Sequence, residues 1–125
     1  MRGKQLIQIA ALLGAIAVGI GAFGAHGLKD FLAETGRADT FETAVKYHFY
    51  HTLAIFLIGI LAVAKPEWKQ LSTAASLMVF GIVVFSGSLY ILSLAGITWL
   101  GAITPIGGLA FIAGWIYVFI AASKS

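Results

Sequence analysis

Apolar residues run along this chain in three long blocks separated by short polar stretches. No Asp, Glu, Lys or Arg occurs in residues 5–28, 47–64 or 70–123. A bilayer-spanning helix needs roughly 20 mostly apolar residues. The first two blocks each suit one crossing. The third is too long for one and must turn back, with the turn at 96–101 and Trp99 at an interface. The pattern predicts an all-α, polytopic membrane protein: one domain over 1–125, with four transmembrane helices at about 6–27, 43–64, 71–94 and 105–122.

The polar stretches refine these elements. In the longest, 29–39, apolar Phe31 and Leu32 alternate with Lys29, Asp30 and Glu34, which predicts a short interfacial helix ending at Gly36. Asp39 and Glu42 stand at capping-box spacing, so the second helix should begin near Thr40 and protrude before it enters the hydrocarbon. Lys65, Pro66, Glu67, Trp68 and Lys69 form a tight interfacial turn. Thr104 followed by Pro105 reads as an N-cap with proline at the first helical position.

Composition strengthens the membrane assignment. Sixty per cent of residues are hydrophobic and 10% charged, against about 25% charged in a soluble domain. The net charge of +3 comes from single, scattered basic residues, so nucleic acid is excluded as a partner and the charge reads as topology. Arg2, Lys4, Lys65, Lys69 and Lys124 fall on one side; Lys29, Arg37 and Lys46 fall on the other, with four of the five acids. Both termini are therefore expected in the cytoplasm, with the protein in the plasma (inner) membrane. Arg2 and Lys4 before an apolar run resemble a signal peptide, but the run is longer than an h-region of about 7–15 residues, so an uncleaved span is expected. There is no cysteine, which excludes disulfides and thiolate chemistry.

Small residues recur at four-residue spacing in the first helix, as Ala11, Ala15, Gly19 and as Ala17, Gly21, Ala25, and in the fourth as Ala110 and Gly114. Such stripes let helices approach closely in lipid. They predict packing within the chain, with a second copy or with a membrane partner.

Chemistry-bearing side chains are few. His26 ends the first helix, and His48 and His51, at i and i+3, fall on one face of the second, with Tyr47 and Thr52 beside them. Glu42 and Lys46 stand in the order that favours an ion pair. Three imidazoles gathered at the outer end of the bundle would offer a ligand set for a metal, a proton relay or a haem ligand. The alternative is a hydrogen-bonded cluster that fastens helices together. A second polar patch, Ser86, Ser88, Tyr90 and Ser93, either packs helices or lines a solute path. No span carries a carboxylate at its centre, as proton-coupled exporters usually do. No HExxH, serine-nucleophile or phosphate-loop motif is present. A non-enzymatic protein with no resident cofactor is the expectation.

Gly21-Ala22-Phe23-Gly24-Ala25-His26-Gly27-Leu28 resembles the signature of a small membrane-protein family named for the bacterial YgdD and YwdK proteins, domain of unknown function 423, which is similar to the eukaryotic transmembrane protein 256 group. Thr43, Ala44, Tyr47 and the run His51-Thr52-Leu53-Ala54 resemble its second motif. Phe85-Ser86-Gly87-Ser88-Leu89-Tyr90 resembles the third, and Thr104-Pro105-Ile106-Gly107-Gly108 the fourth. The resemblance spans essentially the whole chain. It implies a four-span inner-membrane protein without an assigned activity, and it implies that glutamine is common at the position of His48.

Overall fold

In the computed structural model, which describes residues 1–124, the chain is an antiparallel bundle of four membrane-spanning helices. The first is α1, Gly3–Ala25. A short helix α2, Lys29–Thr35, follows and stops at Gly36, whose φ of 70° is the left-handed geometry glycine adopts most readily. The second span is α3, Ala38–Ala64. The third is made of α4, Gln70–Gly81, a single π-helical turn, Ile82–Ser86, and α5, Gly87–Ala95. A 3₁₀ turn, Thr98–Ala102, leads into α6, Thr104–Ser123.

The four spans and the interfacial helix stand where the sequence pattern puts them, with shifts at their ends. Arg37, not an acid, is the N-cap of α3; no side chain caps it, and Asp39 sits inside the first turn. Thr104 is likewise the first residue of α6 and not its cap. The 3₁₀ turn brings the Leu100 carbonyl within 3.1 Å, and the Thr104 hydroxyl donates there instead. The π turn is invisible in the apolar pattern, because Ile82, Val83, Val84 and Phe85 give it no polar face to show a change of period.

Helix order across the bundle follows the packing: α1 lies on α3, α3 lies on the α4–α5 span, and α6 lies on α4 and the π turn. Span α3 is the most enclosed and α1 the least. Close approach depends on missing side chains. A Cβ on Gly3 would stand 2.7 Å from the Gly59 carbonyl oxygen, and one on Gly107 would lie within van der Waals overlap of the Phe85 backbone. Ala110 and Gly114 sit in the same α4–α6 seam, Gly114 against Met78 and the Ala74 carbonyl. On the other side of the bundle the inward face of α1 is Gly3, Leu6, Ala10 and Ala17, with Gly21 against Val45. Ala11, Ala15, Gly19 and Ala25 are exposed, and among the described residues nothing lies within 4 Å of a Cβ placed on Gly19.

The core has two layers. Near the ends that carry Gly3, Ala64 and Gln70, Leu6, Ala10, Ile58, Leu71, Ala74 and Ala75 make an apolar plug. Above it the buried polar residues His48, His51, Thr52, Ser86, Ser88 and Ser93 sit among buried apolar ones such as Phe41, Ala44 and Phe111, whereas Leu12, Val18, Val83 and Leu109 are exposed. Polar groups inside and large apolar side chains outside is the arrangement that lipid favours.

Candidate functional site

His51 occupies the middle of α3, roughly 20 Å from either end at the 1.5 Å rise of an α-helix. Its Nε2 receives the indole N–H of Trp115 at 3.1 Å, and its Nδ1 lies 2.8 Å from the Tyr47 carbonyl one turn earlier. Indole nitrogen only donates and a carbonyl only accepts. The ring is therefore neutral, with its proton on Nδ1. Phe111 stacks on it with centroids 3.6 Å apart and planes 11° apart, and Tyr47, 6.1 Å from the imidazole and 6.3 Å from Phe111, flanks the pair.

His48 has the opposite tautomer. Its Nε2 donates to the Leu13 carbonyl at 3.0 Å, and its Nδ1 accepts from the Tyr90 hydroxyl at 2.8 Å. Leu13 lies near the middle of α1, so His48 ties α1 and α5 to α3, while His51 ties α6 to α3. The i, i+3 spacing does not bring the two rings to one partner: the 60° offset between them directs each into a different helix seam.

The three-histidine ligand set does not form. His26 is exposed at the C-cap of α1. His48 and His51 lie deep in the bundle, not at its outer end, and each spends its single lone-pair nitrogen on a protein donor. Among the described residues, no three His, Cys, Asp or Glu side chains are grouped as a metal would need. Glu42 and Lys46 form an ion pair at 3.4 Å, both more than half exposed, on the outer turns of α3. Thr52 is buried and donates back to the His48 carbonyl at 2.7 Å.

The serine patch is likewise occupied with backbone. Ser86, fully buried in the π turn, donates to the Ala44 carbonyl of α3 at 2.8 Å. Ser88 meets the Thr104 hydroxyl at 2.7 Å, and Thr104 passes the bond on to Leu100. Ser93 donates to the Leu89 carbonyl at 2.8 Å. Among the described residues no buried side-chain nitrogen or oxygen lacks a partner. Ser86 reaches α3 while Ser88, two residues on and so on nearly the opposite side of the span, reaches Thr104 of α6.

Together these groups form a chain of contacts across the bundle. The Tyr90 ring stands 5.5 Å from Phe41, and Phe85 stands 4.8 Å from Tyr47 and 5.5 Å from Phe111. Beside Trp115 and Phe111 an open groove of about 640 Å³ faces the lipid. Trp115, Phe111, Thr104 and the Leu13 carbonyl were not among the residues singled out for chemistry. Trp115 carried a signal: a tryptophan in mid-span, away from the interfacial belt, needs a buried acceptor for its N–H. The Leu13 carbonyl carried none, because any residue supplies one.

The family model described as "Protein of unknown function (DUF423)" matches residues 20–108, the segment that holds every one of these bonds except those of Leu13 and Trp115. The chain belongs to the DUF423 family. It is 47% identical over 121 residues to the UPF0382 membrane protein YwdK of Bacillus subtilis, covering 97% of this chain and 98% of that one. It is 46% identical to the UPF0382 membrane protein SH2409 of Staphylococcus haemolyticus, covering 97% of each. A UPF0382 membrane protein of Haemophilus influenzae is 37% identical over all of this chain and 98% of its own. No solved structure matches the chain. These relatives are described as membrane proteins, in keeping with the four spans of this chain.

Proposed function

We propose that this DUF423 protein is a non-enzymatic helix bundle of the plasma membrane that self-associates through the outward face of α1. The observation that carries the reading is the contrast between its small-residue stripes. Ala110 and Gly114 are consumed inside the chain by α4, whereas Ala11, Ala15 and Gly19 lie open on the least enclosed span. In lipid an open small-residue face is where a second helix can approach closely. The engagement of both ring nitrogens of His48 and His51 supports a fastening role for them over catalysis. Both termini lie in the cytoplasm in this reading, supported by Arg2, Lys4, Lys65, Lys69 and Lys124 at one end of the bundle.

Cysteine crosslinking in native membranes tests it. Ala15→Cys should give a disulfide-linked dimer, and Gly19→Leu in that background should abolish it while the bundle stays folded. Exclusively monomeric protein at every outward position of α1 would refute the self-association. Fusions of a reporter active only outside the cytoplasm test the topology: one at the C-terminus should be silent.

A further inference from the structure

The basic end of the bundle contains a concavity that the helix seams do not use. The start of α1 and the α3–α4 connection lie side by side there, joined where the Met1 nitrogen donates to the Ser72 hydroxyl. Between them is a pocket of about 410 Å³ lined by Arg2, Lys4, Lys65, Trp68, Lys69 and Ser72 above an apolar floor that includes Ala62, Val63 and Leu71. The volume lies in the range of small-ligand sites, about 300–1,000 Å³.

Four cationic side chains surround this one hollow, and among the described residues no carboxylate lines it. Glu67 belongs to the same connection but lies outside the lining. Among the described residues, the ion pair in the chain is Glu42–Lys46, at the opposite end. No described residue lining the pocket therefore offsets the mutual repulsion of Arg2, Lys4, Lys65 and Lys69, and an anion would. The wall is not suited to a fully hydrated anion. Trp68 packs partly into the apolar core, and the floor is made of the last turn of α3 and the first of α4. A cationic rim over an apolar floor, at the depth where spans end, matches a group that is charged at one end and greasy at the other.

We propose that this pocket binds the phosphate head group of an anionic phospholipid, with the glycerol and upper acyl chain against Trp68, Val63 and Leu71. The phosphate is held by Lys65 and Lys69 from one side and by Arg2 and Lys4 from the other. The lipid thereby clips the start of α1 to the α3–α4 connection.

Native mass spectrometry of the delipidated full chain in detergent, titrated with phosphatidylglycerol or phosphatidylcholine, tests this directly. Phosphatidylglycerol should be retained at least about tenfold better, since each basic residue near an anionic lipid contributes about fivefold. The double variant Lys65→Gln, Lys69→Gln should lose at least about tenfold in phosphatidylglycerol retention, with phosphatidylcholine unchanged. Lys65→Arg, Lys69→Arg should keep it. Lys124→Gln, at the same end but outside the pocket, and Lys29→Gln, at the far end, should stay within about twofold of the parent. Equal retention of the two lipids by the parent chain overturns the proposal. So does a Lys124→Gln loss as large as that of the double variant, which would mean diffuse charge attraction. Displacement of phosphatidylglycerol by an equal concentration of inorganic phosphate would also overturn it in favour of a soluble anion.

Discussion

Trp115 donates its indole N–H to Nε2 of His51, 3.1 Å away, and so joins the middle of α6 to the middle of α3. The bond sits in a layer of rings, with Phe111 stacked on the imidazole at 3.6 Å. Replacing Trp115 by Phe should remove the donor and leave a buried lone pair, at a cost of about 1 kcal/mol. Paired with His51→Phe in a double-mutant cycle, measured by reversible unfolding in mixed micelles, the coupling should fall at about 0.6–1.7 kcal/mol. A coupling near zero would show that the bond is not made.

The opposite tautomers of the two imidazoles are a spectroscopic prediction. Nitrogen-15 spectra of selectively labelled protein in bilayers should show His48 protonated on Nε2 and His51 on Nδ1, because Leu13 and Tyr47 offer carbonyl acceptors at those atoms. Identical tautomers at the two sites would contradict the pairing.

At position 48 a glutamine has what the site uses, an N–H donor for Leu13 and an oxygen acceptor for the Tyr90 hydroxyl. His48→Gln should therefore cost under about 1 kcal/mol, whereas His48→Leu strands the Tyr90 hydroxyl and should cost about 1–3 kcal/mol. The same unfolding assay separates them. A metal- or proton-carrying histidine would not tolerate the exchange so well.

Glycines of the two helix surfaces should respond in opposite ways. Gly107→Ala drives a methyl into the Phe85 backbone of the π turn, and overpacking of this kind costs about 1–3 kcal/mol. Gly19→Ala meets nothing within 4 Å among the described residues. It should leave the fold intact or stabilise α1 by up to about 1 kcal/mol, the helix-propensity gain of alanine over glycine. Thermal unfolding of the two variants in one detergent is the comparison, and equal losses would show that α1 packs differently.

Ser86→Ala should cost about 1 kcal/mol through the lost bond to the Ala44 carbonyl, which pins the π turn to α3. Hydrogen exchange at residues 82–86 reports it: protection should fall there before it falls in α4.

The chain alone determined that there are four spans, where the interfacial helix stops and which end is basic. These follow from quantities that add up along a sequence: a run of uncharged residues long enough to cross a bilayer, a glycine where φ must be positive at Gly36, and the positions of Lys and Arg. Even the Glu42–Lys46 pair was legible, because one helical turn is a local distance.

What the tertiary structure alone decided is where side chains point once helices touch. His48 and His51 look like neighbours in sequence, yet one turns into the α1–α3 seam and the other reaches across to Trp115 of α6. Their partners are a backbone carbonyl at Leu13 and an indole 64 residues away, and neither is recognisable by type or spacing. The π turn depends on the same cause. It is stabilised by Ser86 reaching α3 and by Gly107 admitting Phe85, contacts that exist only after the third and fourth spans have packed.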